Sequence, residues 1–151
     1  MKRLHSIAIL LAGLAFAGPA LAVDNSLSLK EAMTRFGLIG EWAAHCSQPT
    51  SGNNAHTFWS ANSDTAGALF TDFGRGQTMS YTATAAELAG ANQIRVNLTD
   101  DEDHLRLDLM IEMRDGRVRT LSSVRSDGRV LIKDGKFTSD NTDTVAQERC
   151  H

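Results

Sequence analysis

The chain has 151 residues, with 15 Lys and Arg against 18 Asp and Glu and only two Cys. That length holds one domain with a real core and is too short for two. A mildly acidic chain with no dense basic cluster is not built to hold nucleic acid.

The first segment is apolar and short. Lys2 and Arg3 precede an apolar run from Ile7 to Phe16, and Gly18-Pro19-Ala20-Leu21-Ala22 follows. A basic start, an apolar stretch and small residues at Ala20 and Ala22 are the marks of a cleaved secretory signal peptide over residues 1–22. The run falls short of the roughly 20 residues a membrane-spanning helix needs, and it ends in a helix breaker. No Cys follows the cleavage site and no later apolar run appears, so a soluble periplasmic or secreted protein is expected, with no membrane association once the leader is gone. Residues 23–151 then form a single domain. The leader takes two basic residues and no acid with it, leaving 13 basic against 18 acidic residues, a net charge of −5.

Two Cys in an exported domain are most simply a disulfide, here Cys46–Cys150, tying the C-terminal end to the first strand. A redox or metal role would call for C-x-x-C spacing or neighbouring ligands, and the sequence has neither.

The first element of the domain reads as a helix. Ser28 is placed as its N-cap with Glu31 three residues on, Leu29, Ala32, Met33 and Phe36 share one face, and Gly37 stops it. After Gly40 the apolar period changes from 3.6 to 2. Strands are predicted over 40–46, 55–61, 66–73, 77–83, about 94–99, about 105–114, 117–125 and 130–133. Asp115-Gly116, Asp127-Gly128 and Asp134-Gly135 are hairpin signals, and Gly74-Arg75-Gly76 and Asp100–Asp103 mark further turns. Such short links require antiparallel neighbours. The expected fold is therefore all-β: an up-and-down meander of about eight strands with one short N-terminal helix, curling into a small barrel that removes its own edges. Residues 47–54 and 136–144 read as polar loops.

The Gly40-x-Trp42 pair at the start of the first strand, after a short helix and before an eight-stranded meander, resembles the lipocalin-like (calycin) barrels. It also resembles the bacterial periplasmic protease inhibitors that share that barrel. The resemblance implies that Trp42 closes one barrel end and that an Arg from a late strand, here Arg149, stacks over it.

Chemistry-bearing motifs are few. His45, His56, His104 and His151 have no metal-ligand spacing and read as surface or rim residues. Asp100–Asp103 lacks the spaced ligands of a calcium loop and reads as a solvated turn. Gly74-Arg75-Gly76 is no phosphate loop, Asn97-Leu98-Thr99 is an idle glycosylation sequon, and no Ser lies in a nucleophile elbow. No enzyme, metal or cofactor is expected.

The aromatics carry the residual signal. Phe58 and Trp59 are consecutive, so one must face outward, either lining a binding mouth beside the 47–54 loop or packing under the helix. Trp42, Phe58, Trp59, Tyr81 and Arg149 are the candidate ligand or barrel-end residues. The function expected is a monomeric, non-enzymatic binding module for a small apolar ligand or an exported protein partner. The alternative is a periplasmic inhibitor of a protease or lysozyme.

Overall fold

The computed structural model describes residues 26–150. The leader expected at residues 1–22 and His151 lie outside the described residues.

Helix α1 (Leu29–Phe36) forms as its caps dictate. Glu31 N donates to Ser28 Oγ at 3.2 Å and Ser28 N donates to Glu31 Oε2 at 2.9 Å, completing the reciprocal capping box. Gly37 ends the helix in the left-handed conformation (φ 80°).

Ten strands follow: β1 (Gly40–Ala43), β2 (His56–Ala61), β3 (Gly67–Asp72), β4 (Thr78–Leu88), β5 (Gln93–Asp100), β6 (Arg106–Arg114), β7 (Arg117–Arg125), β8 (Val130–Lys133), β9 (Lys136–Phe137) and β10 (Gln147–Cys150). β1 to β7 pair consecutively and antiparallel, and β10 pairs with both β1 and β7. These eight strands close a barrel, so the all-β barrel with one short helix is the observed fold.

The closure differs from the expected meander in one respect. β8 is not a barrel stave: it pairs with the distal half of β7 at Ser123 and Val124, and β9 hangs from it. The eighth stave is β10, which takes the proximal half of β7 at Arg117 and Val118. Its four residues, Gln-Glu-Arg-Cys, carry no apolar alternation, so periodicity could not reveal it. Within 136–144, read as a loop, Lys136–Phe137 makes a small hairpin with β8.

β1 also ends earlier than the alternation of Trp42, Ala44 and Cys46 predicts. The Asn54 side chain binds both backbone groups of His45, accepting from its N–H at 2.9 Å and donating to its carbonyl at 3.1 Å. A side chain thus replaces the ladder partner and the strand turns away at Ala44. β4, in contrast, runs on to Leu88 past an irregularity between Ala83 and Ala85.

The interior belongs to alternate residues of the staves: Trp42, Trp59, Leu69, Ala83, Ile94, Val96, Leu98, Leu109, Ile111 and Val118 are buried. Helix α1 lies across the end where β2 finishes and β3 begins, adding Leu29 and Met33 to that core, with Leu38 just beyond it. Gly67 is required there, since a Cβ would meet the Ser60 carbonyl at 2.5 Å and Leu29 Cδ2 at 3.2 Å. One barrel end is therefore plugged. The other is not.

Candidate functional site: a cavity at the open barrel end

The plugged end is built around Trp42. Its ring is 2 % exposed, and its indole N–H donates to the Leu38 carbonyl at 2.7 Å. Arg149, the cross-strand partner of Trp42, holds its guanidinium 5.9 Å from the ring centre and donates through Nη2 to the Ile39 carbonyl at 2.6 Å. Gly40 makes room for it: its φ is 135°, and a Cβ there would lie 3.2 Å from Arg149 Nε.

At the other end a cavity of about 350 Å³ opens between the staves. Its floor includes Leu38, Trp59, Leu69, Leu109, Ile111 and Val118, all core residues. Phe73, Met79, Ile132, Phe137 and Val145 stand nearer its mouth, and Met79, Phe137 and Val145 are exposed. The β8–β9 hairpin, which is no part of the barrel ring, thus builds one side of the rim. Thr57 and Thr71 are two of the polar residues in the wall, with Arg119, Thr120, Thr144 and Gln147 also in the lining. Thr57 and Thr71 face each other across β2 and β3 and are 9 % and 7 % exposed.

The 47–54 loop forms another part of the mouth through Gly52 and Asn53. It is held by Asn54, buried at 4 % exposure, whose Nδ2 also reaches the carbonyls of Gln48 and Pro49 at 3.2 and 3.3 Å. Gly74 packs against the loop from the next turn, where a Cβ would meet the Thr50 carbonyl at 2.5 Å. His56, expected at the surface or rim, is instead buried (8 % exposed) beneath this loop. Its Nδ1 bonds Glu41 Oε1 at 2.6 Å and its Nε2 lies 3.1 Å from the Gln48 carbonyl. The loop folds back over the outer wall and covers an imidazole that would otherwise face solvent.

Glu41, His56 and Cys150 bring potential metal-ligating atoms within 4.8 Å of one another. The Cys150 sulfur, however, is bonded to Cys46 as the sequence predicts. A disulfide sulfur is not the thiolate that metals bind, so the group reduces to a hydrogen-bonded His–Glu pair.

The candidate residues thus separate by place. Trp42 and Arg149 sit together at the plugged end, and Trp59 faces the cavity. Tyr81 is half-buried on β4 outside the cavity lining, its hydroxyl 3.6 Å from the Met79 sulfur; burial and the nearby Asp100 carboxylate push its phenol up from the ordinary tyrosine value. Phe58 neither lines the mouth nor packs under the helix. It is on the outer wall, tilted against Phe70 with ring centres 6.0 Å apart, and both rings are 38 % exposed. Thr57, Thr71, Met79 and Val145 were not singled out in the sequence. Thr57 immediately precedes Phe58, and the inward alternation that selects Trp59 also selects it.

A larger groove of about 730 Å³ lies outside the barrel between Ser26, Leu27 and Arg35 on one side and Ala85–Leu88, Arg95 and Asn97 on the other. Its wall is formed in part by the first described residues, and its lining is more polar. The barrel cavity is the more apolar of the two, and its wall is built from barrel strands rather than from the first described residues.

The molecule is thus a small, disulfide-closed antiparallel β-barrel, plugged at one end and hollow at the other. No family model, no curated protein and no solved structure matches the chain.

Proposed function

We propose that this protein is an exported, non-enzymatic binding module that holds a small, largely apolar molecule in the open end of its barrel. The carrying observation is the cavity of about 350 Å³, whose floor is core-like and whose rim is apolar. That volume falls within the range of ligand pockets and is roughly twice the ~150 Å³ that takes up benzene in an apolar core. An eight-stranded barrel is of the size that either fills with side chains or holds one small ligand. The signal-like leader supports export, and the disulfide is compatible with an oxidising compartment. The grouping of Gly40, Trp42 and Arg149 at the plugged end supports kinship with the lipocalin-like barrels.

Trp59 lines the cavity, so its fluorescence reports occupancy. Titration with a small apolar dye should quench or shift that emission saturably. Ala55→Phe, which narrows the mouth and leaves the backbone hydrogen bonds in place, should abolish the change without altering the melting temperature. Saturable dye binding that survives Ala55→Phe unchanged would place the ligand elsewhere and defeat the reading.

Exposed Met79, Phe137 and Val145 around the mouth also suit a protein partner, as inhibition of an exported hydrolase would use. Inhibition of a lysozyme or protease that persists when Ala55→Phe has abolished dye binding would select that second reading.

A further inference from the structure

We infer that the cavity selects an uncharged ligand bearing a hydrogen-bond acceptor, such as a carbonyl oxygen, which meets the hydroxyls of Thr57 and Thr71. This deepens the cavity reading and rests on it.

The first ground is what the cavity lacks. Among its lining residues Arg119 alone is charged, and its Nε already donates to Glu112 Oε2 at 3.4 Å. An ionised ligand group carried to the floor would shed its hydration and find no opposite charge among Leu38, Trp59, Leu69, Leu109, Ile111 and Val118, which is the costliest form of burial.

The second ground is what the threonines leave unsatisfied. Gln147 Nε2 donates to the Ala55 carbonyl at 3.4 Å and to Thr57 Oγ1 at 3.1 Å. The Ala55 carbonyl can only accept, so it fixes the amide with its NH₂ toward Thr57. Thr57 Oγ1 is therefore an acceptor in that bond, and its own hydrogen remains free to donate. Across the β2–β3 pair, the Thr71 hydroxyl has no hydrogen-bond partner among the described residues, although Thr71 is only 7 % exposed. Two adjacent O–H donors thus border one apolar cavity. Thr144, also in the lining, is different: its hydroxyl is already committed to the carbonyls of Thr120 and Gly135 at 2.8 and 3.1 Å. Water can fill the role in the empty protein. A ligand that displaces that water must replace its hydrogen bonds or lose affinity.

The test is competition against the Trp59-reporting dye by five compounds of one carbon count: an alkane, a methyl ketone, a primary alcohol, a carboxylate and an ammonium. The ketone and alcohol should bind best, with the two ions weaker by about tenfold or more. Thr71→Val removes the hydroxyl at nearly constant shape and breaks no protein hydrogen bond. It should weaken the ketone by about threefold to tenfold and leave the alkane unchanged, while Thr71→Ser restores ketone binding. If none of the five displaces the dye, the cavity reading itself fails. If all five bind alike, or an ion binds tightest, the cavity reading stands and this inference is overturned. The wild-type series decides even if Thr71→Val does not fold.

Discussion

Trp42 and Arg149 are cross-strand partners, and each secures the other. Trp42 is buried with its N–H spent on the Leu38 carbonyl, while Arg149 lies over the ring and ties itself to Ile39. The pair joins the first stave to the last, so it closes the barrel as well as its end. Arg149→Ala removes a cation–π contact and a charge-assisted hydrogen bond, and should cost about 1–3 kcal/mol in urea unfolding with a changed near-ultraviolet tryptophan signal. Arg149→Lys should recover only part of this, because an ammonium cannot lie flat on the ring while keeping the Ile39 bond. Equal stability for Arg149→Ala and wild type would show that the stacked arrangement contributes nothing.

The Cys46–Cys150 disulfide spans 104 residues and fixes β10, the stave that periodicity cannot see. Removing it as the double Ser variant should cost about 2–5 kcal/mol. The loss should begin at β10, so amide exchange there should quicken before that of β5 and β6. Non-reducing mass spectrometry that found free thiols at Cys46 and Cys150 would contradict the bridge directly.

Most staves were legible because they are half-buried: Ile94, Val96 and Leu98 alternate with polar residues, and the Asp-Gly turns between β6 and β9 mark where neighbours must pair. β10 was hidden because it draws its place from register, disulfide and Arg149 rather than from apolar content. His56 was misread for a related reason. Its burial comes from a loop folding back over the outer wall, a tertiary event with no local pattern. The cavity was equally illegible, since Thr57 and Thr71 resemble any wall threonine until β2 and β3 are set in register around an incompletely filled interior.

Asn54 makes more side-chain bonds to the mouth loop than any other described residue. Its amide bonds His45 on both backbone groups and reaches Gln48 and Pro49. Asn54→Ala leaves the part-buried His45 N–H and Pro49 carbonyl without a partner, while the His45 and Gln48 carbonyls keep the Gln48 N–H and His56, and it should destabilise by about 1–2 kcal/mol. Residues 47–53 should then become protease-sensitive while β4 to β7 stay protected. Cleavage no faster than in wild type would mean that the Gly74 contact and the His56 bonds hold the loop without it.

Asp101 gives the pH dependence a definite sign. Its carboxylate accepts from Ser80 Oγ at 2.6 Å and from Thr82 Oγ1 at 2.9 Å, and these bonds hold its pKa below the ordinary aspartate value. A carboxyl whose pKa is depressed on folding adds stability above its unfolded pKa, and that stability is lost as pH falls through the folded value. The wild-type protein should therefore lose part of its melting temperature below about pH 4, where the unfolded chain begins to bind the proton first. The group is exposed, so the effect should be small. Asp101→Asn should lower the melting temperature at pH 7 and flatten the fall below pH 4. A variant that melts in parallel with wild type from pH 7 down to pH 3 would show that the Ser80 and Thr82 bonds do not favour the ionised form.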